Sequence, residues 1–215
     1  MFELKEYSET QLPDSLELIQ KAQEFISVDN GWNHSKILNR AHIFNKWHGN
    51  DYWCMRVSNH IHITYEDMLA TIFHNHTENE KDYMDSIESY KSMDPSKDGS
   101  WQSKVVTYKL PFPFAKRDMV FWMVHEESFL DNQFLIITLP RDTTVENCKG
   151  MYVAIEEVTR LEDGGIQWSM ATTSEAGGLI PRFIQRMALP GAIANDIPQF
   201  EKWINKKKKE NNGNL

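Results

Sequence analysis

The stretch GGIQWSMATTSEAGGLIPRFIQRMALP, residues 164–190, changes its period part-way along. Ile166, Trp168, Met170 and Thr172 alternate with Gln167, Ser169, Ala171 and Thr173, the two-residue period of a strand with one apolar side. Gly177 and Gly178 then permit backbone angles that other residues avoid, and Pro181 has the fixed φ that suits a first helical turn. The spacing predicts a helix starting near Leu179. Its apolar stripe would be Leu179, Phe183 and Met187, with Ile180 and Ile184 one position round and Arg182, Gln185 and Arg186 on the remaining arc. Such a stripe covers either a solid sheet, as most amphipathic helices do, or a hollow that the helix closes as a lid.

A chain of 215 residues, 40% hydrophobic and 25% charged, is ordinary for a water-soluble globular protein and fits one large domain. A net charge of −8 argues against a general nucleic-acid binder, whose affinity comes largely from Lys and Arg on phosphates. Cys54 and Cys148 make no disulfide framework, and no apolar N-terminal run follows the first Met, so a reducing cytoplasmic setting is expected. No run approaches the length of a membrane span. Seven Trp, eleven Phe, seven Tyr and ten Met suit irregular apolar pockets, and plain cores nearly as well.

In chain order, 13–27 shows the spacing of a first helix opened by Pro13. The runs 37–47 and 52–63, parted by His48-Gly49-Asn50-Asp51, predict a β-hairpin. Thr64 with Asp67 caps a second helix near 65–75, whereas the polar residues 76–100 show no clear period. From Trp101 onward, strands are expected at 101–110, 117–127, 133–139, 150–159 and 166–173, a meander with short links. The expected fold class is α+β: a curved antiparallel sheet of about seven strands around one long C-terminal helix, in a single domain over 1–205, with 206–215 as a polar basic tail.

Three segments resemble the StAR-related lipid-transfer (START) domains, members of the helix-grip superfamily. YKLPFPFAKRDMVFWMVHEE at 108–127 is similar to their strand, Pro-rich corner, Arg-Asp and strand. LPRDTTVENCKGMYVAIEEV at 139–158 resembles the loop overhanging the cavity mouth and the strand after it. WSMATTSEAGGLIPRFIQRM at 168–187 resembles the last strand, the Gly-x-x-Pro junction and the lid helix. Each motif is short, and their order along 101–204 carries the weight. The resemblance implies a helix-grip fold with a hydrophobic tunnel for one lipid or similar apolar molecule. It also implies a lid over that tunnel, hinged at Gly177, Gly178 and Pro181 and opposed by the 140–149 loop. Replacing Gly178 by Pro would then slow exchange and leave the fold largely intact.

Under that resemblance the ligand-binding residues would be Met119, Phe121, Met123, His125, Met151, Val153, Trp168, Met170, Leu179, Phe183 and Met187. The opposite face of the 117–127 strand, with Val120, Trp122 and Val124, is also apolar, so its inward side is open. Some sterol-handling members carry an arginine six residues after the Arg of Arg-Asp; here Met123 stands at that offset. Arg117 and Asp118 are candidates for a structural ion pair, a headgroup contact or, least favoured, a catalytic pair.

Lys206, Lys207, Lys208 and Lys209 form either a solvated helix end or a transient contact with an anionic membrane surface, with nuclear import a third reading. His60-x-His62 and His74-x-His76 lack an obvious third ligand and the cysteines lack zinc spacing, so no metal and no cofactor is expected. The favoured function is non-catalytic binding or transfer of a lipid, in the cytoplasm and peripheral to membranes. The alternatives are a helix-grip cyclase or hydrolase using His125, Arg117 and Asp118, and a protein-interaction module with a vestigial cavity. Removing a lipid from a bilayer exposes about 0.8 kcal/mol of apolar surface per methylene, or about 12 kcal/mol for a palmitoyl-length chain. A carrier must offer equal apolar cover.

Overall fold

In the computed structural model, which describes residues 2–128 and 132–212, helix α1 runs Ser15–Ile26, opened by the Asp14 carboxylate accepting from the Glu17 amide at 2.9 Å. Three strands follow, β1 (Asn33–Leu38), β2 (Ala41–His48) and β3 (Asp51–His60). The run 37–47 is therefore two strands, not one: Asn39 and Arg40 hold left-handed φ values of 48° and 67° and fold β1 back on β2.

Helix α2 (Tyr65–Met68), closed at its N-terminus by the reciprocal Thr64–Asp67 capping box, widens into a π-type turn over Leu69–Phe73. Helix α3 (His76–Tyr83) and strand β4 (Ile87–Met93) occupy the stretch without a clear period. The meander follows as β5 (Gln102–Tyr108), β6 (Arg117–Ser128), β7 (Gln133–Pro140), β8 (Cys148–Arg160) and β9 (Ile166–Glu175). Helix α4 (Arg182–Asn212) carries Pro190 and Pro198 within it, begins three residues later than the sequence predicts, and takes in Lys206–Lys209.

One sheet collects nine described strands in the order β1-β2-β3-β9-β8-β7-β6-β5-β4, against the seven or so expected; β1 and β4 are the additions and form its two edges. Neighbours pair antiparallel, and the start of β8 also runs parallel to the start of β6, Arg117 opposite Cys148 and Met119 opposite Gly150. β3 pairs with β9, Arg56 opposite Met170, so the hairpin is joined to the end of the meander.

Alternation along the strands builds two cores. On one face Trp53, Met55, Trp122, Val124, Leu135, Ile137, Val153 and Ile155 pack under α1 and the N-terminal residues. Trp122 Nε1 donates to the Tyr7 carbonyl at 3.0 Å, and the Lys46 ammonium sits over the Phe25 ring at 3.7 Å, fixing that layer. On the other face Ile43, Phe121, Met123, Phe134, Ile136, Val158 and Trp168 meet Ile193, Ala194, Ile197, Phe200 and Ile204 of α4. The face of β6 that looks toward α4 is thus Phe121 and Met123, and Trp122 and Val124 look away.

Candidate ligand site beneath the C-terminal helix

The residues of α4 that close on the sheet recur at intervals of four, three and four, Ile193, Ile197, Phe200 and Ile204, one helical stripe that continues through Pro198. Beneath it Trp168 meets the Phe200 ring at 5.2 Å, and Tyr83 meets Phe200 at 5.4 Å. Tyr108 and Tyr152 pack against this same core and keep part of their surface accessible, as does Asp196 on α4. Burial nonetheless drives both tyrosine hydroxyls well above their ordinary pKa, and pushes the Asp196 carboxyl up to about 7 against the pull of Arg56.

A charged network crosses the same face. Glu156 accepts from His76 Nε2 at 2.9 Å and from Trp168 Nε1 at 2.5 Å, and Arg56 Nη2 lies 3.7 Å from it. The Arg56 guanidinium stacks on the Trp168 ring at 3.9 Å, and its Nε and Nη1 find no hydrogen-bond partner among the described residues. His76 Nδ1 faces Glu80 Oε2 at 3.2 Å, at an angle poor for a hydrogen bond. Burial alone would lower the His76 pKa, but the Glu80 and Glu156 carboxylates overcome it and hold it at about 10, so the imidazole is charged at neutral pH. Glu156 stays ionised despite its burial, because His76 donates to it. Sequence reasoning missed this network. Its signal was present in Glu156, a charged residue between Ala154 and Val158 on the inward side of β8, and in Arg56, a charged residue within the run of β3.

The expected ligand residues divide. Phe121, Met123 and Trp168 lie in the core under α4, and Met119, His125 and Met170 share their strand faces by alternation. Met119 leans into the space left by Gly150, where a β-carbon would sit 2.6 Å from its sulfur. His125 lies edge-on to Phe73 at 5.4 Å, and burial lowers its pKa to about 4, so its ring is neutral. Val153, by contrast, belongs to the core under α1, and Met151, two residues earlier, shares its strand face and borders a cleft beside Lys5 and Glu6. These two face away from α4 because the strand residues that face it are Tyr152, Ala154 and Glu156.

Leu179, Phe183 and Met187 cover nothing: they are 98%, 57% and 76% exposed. The closing stripe lies beyond Pro190, one segment later than the sequence suggests, and the first turns of α4 turn their apolar side to solvent. The glycine junction explains the offset. Gly177 and Gly178 both hold φ of 63°, and a β-carbon on Gly177 would stand 2.1 Å from the Lys149 carbonyl oxygen. The chain is pinned against β8 there before α4 begins. Proline cannot adopt φ of 63°, so Gly178→Pro distorts the junction itself and does not merely stiffen it.

Arg117 and Asp118 do not pair with each other; on a strand they point to opposite faces. The buried Arg117 guanidinium donates to the Ala176 carbonyl, to Ala115 O at 2.6 Å and to Lys116 O at 3.2 Å, tying the 111–116 corner to the glycine junction. Asp118 accepts from Thr107 Oγ1 at 2.8 Å, from the Asn147 amide at 3.0 Å and from Asn147 Nδ2, holding the 142–147 loop. That loop and β4–β6 enclose a surface cleft of about 520 Å³ on the side away from α4. His125 stands seven residues up β6 from Asp118, about 23 Å along an extended chain, so the three polar groups of the enzymatic alternative are not assembled.

His60 accepts or donates to Ser58 Oγ at 2.8 Å and meets Glu201 at 3.0 Å, and His76 is held by Glu156 and Glu80, so neither histidine pair converges on a shared point. Among the described residues no group of three or more His, Cys, Asp or Glu is arranged to hold a metal ion, and no helix is long and apolar enough to cross a membrane.

A nine-stranded antiparallel sheet gripped by one long C-terminal helix is the START-like helix-grip fold. Human STARD10 superposes with a TM-score of 0.78 at 10% identity, over 94% of this chain and 84% of that one. Human StAR-related lipid transfer protein 5 gives 0.73 at 10% identity, over 91% and 95%. A STAR-related lipid transfer protein fragment from Xanthomonas axonopodis gives 0.67 at 11% identity, over 81% and 99%. The chain belongs to the family described as protein of unknown function (DUF3074), whose model matches residues 53–204. No curated protein matches it in sequence.

Proposed function

We propose that this protein binds one lipid or similarly apolar molecule between the sheet and α4, and carries it without chemical change. The observation that supports this most is the state of Tyr108, Tyr152 and Asp196. Tyr108 and Tyr152 pack against the core under α4, and they and Asp196 keep accessible surface, as side chains bordering a space for a ligand would. Aromatic and Met side chains make up much of the surrounding wall. The likeness to proteins named for lipid transfer agrees with the reading. Entry would lie at the end where the glycine junction and the 111–116 corner meet beside the start of β8, because the backbone of 111–116 and 176–180 is held there by the side chains of Arg117 and Gln185 and not by a strand ladder. We assign the whole of 1–205 to one such domain.

Incubation of the protein with donor vesicles made from a total lipid extract, followed by recovery of acceptor vesicles, tests the carrier reading. One or a few lipid classes should move faster than in buffer alone. If no class moves above the blank, the protein is not a carrier.

A further inference from the structure

Asp196 stands on the inner flank of α4 without a partner. It lies three residues after Ile193 and four before Phe200, beside the stripe that meets the sheet. Gln199 and Trp203 continue its flank, and they touch the end of α3: Gln199 accepts from the Asp85 amide at 3.2 Å, and Trp203 meets the Tyr83 ring at 5.7 Å. The Asp196 carboxylate keeps accessible surface and has no hydrogen bond or ion pair among the described residues. The Tyr108 hydroxyl has no hydrogen bond there either.

Charge is out of balance around it. Asp196 feels the charges of Arg56, Glu80 and Glu156, and His76 is held between the same two glutamates, so three carboxylates share two cations. Both cations are committed. His76 Nε2 bonds Glu156 at 2.9 Å and its Nδ1 faces Glu80 at 3.2 Å, while Arg56 lies flat on the Trp168 ring, 3.7 Å from Glu156. Arg56 is 1% exposed and His76 8%, and the unpaired Nε and Nη1 of Arg56 are sealed in, so neither cation is presented where Tyr108, Tyr152 and Asp196 keep their surface. The next acids outward are already matched, Glu78 by Lys104 at 3.0 Å and Glu201 by Arg40. Asp196 is the carboxylate left over. A carboxylate taken from water without a partner is costly, and burial answers by raising its pKa to about 7.

We propose that the interior molecule is an amphiphilic amine, with a long apolar chain under α4 and a protonated amino group set against Asp196 between the Tyr108 and Tyr152 hydroxyls. This rests on the interior site proposed above and adds the chemistry of the head group. An ammonium supplies the missing positive charge and three donors, and the carboxylate and hydroxyls around it can accept all of them. A fatty acid would bring a fourth carboxylate to a place already one cation short. A zwitterionic phosphate head would set its phosphate among the same carboxylates. An alcohol could bond to Asp196 but would leave the charge as it stands.

Competition among octadecylamine, octadecan-1-ol and octadecanoic acid, offered in equal amounts on cyclodextrin to the full chain and quantified in the protein fraction after gel filtration, tests this. The wild type should retain the amine over the alcohol by about ten-fold or more, and over the acid by a wider margin. Asp196→Asn should bring amine and alcohol within about two-fold of each other. Glu162→Gln removes the same charge from the exposed turn between β8 and β9 and should keep the preference. Without ligand, the urea midpoint of Asp196→Asn should not fall, because its side chain has no partner to lose. Equal retention of amine and alcohol by the wild type overturns the amine assignment and leaves the interior site standing, as does a preference that survives Asp196→Asn or is lost in Glu162→Gln. A fall in that midpoint would make Asp196 a support of the fold and overturn the assignment as well. Retention of none of the three probes overturns the interior site and the amine together.

Discussion

Glu156→Ala should destabilise the protein by about 3–5 kcal/mol, read as a fall in the urea midpoint at unchanged slope. The carboxylate accepts from His76 and Trp168 and lies 3.7 Å from Arg56, and each of these is buried. Its removal leaves two cations facing one another across a dry interior, where Arg56 already has two nitrogens unpaired. A loss below about 1 kcal/mol would mean that water reaches the network and screens it.

The same network sets a pH window. The His76 pKa is raised from 6.5 to about 10, so its share of the stability is complete below pH 6.5 and is lost as pH rises toward 10. The Glu156 pKa is lowered from 4.5, so its share is present above pH 4.5 and is lost as pH falls through the lower folded value. The stability gap between wild type and Glu156→Ala should therefore be widest between those limits and narrow from pH 6.5 toward 10. A gap that widens with rising pH contradicts the assignment of His76 as charged.

Arg117→Met should cost about 3 kcal/mol or more, and its local effect should exceed its global one. One guanidinium satisfies the carbonyls of Ala115, Lys116 and Ala176, and a thioether satisfies none of them. Amide exchange should rise at 111–116 and 176–181 and stay as in wild type at β7 and β9, which keep their ladders. Uniform exchange changes across the sheet would show that Arg117 supports the core and not the junction.

The meander was legible because each strand from β5 to β9 has a face long enough to show its alternation between two turns. β4 was not: IESYKSM is an exposed edge strand, one side paired and the other in water, and nothing in its pattern demands burial. β1 and β2 merged in the sequence because Asn39 and Arg40 turn the chain without a glycine. The C-terminal helix was found but its covering face was misplaced. Leu179, Phe183 and Met187 have the right period, as do Ile193, Ile197, Phe200 and Ile204, and periodicity does not say which of two stripes meets the sheet. Pro190 and Pro198 lie before and within the second stripe, and the helix runs through both. Alternation put Phe121 and Met123 on one face of β6 and Trp168 on one face of β9, but β6 is apolar on both faces and only packing decides which of them looks toward α4. Val153 lies under α1, on the face of β8 opposite Tyr152, Ala154 and Glu156.

Native mass spectrometry of the protein, purified without detergent and then incubated with vesicles of a total lipid extract, tests most directly whether space for a guest exists under α4. The bound state should appear as the 25.2 kDa chain carrying one lipid mass and never two, and should persist when the vesicles are removed. A chain that stays bare before and after incubation would mean that Trp168, Phe200, Tyr108 and Tyr152 fill their own interior and leave no room for a ligand.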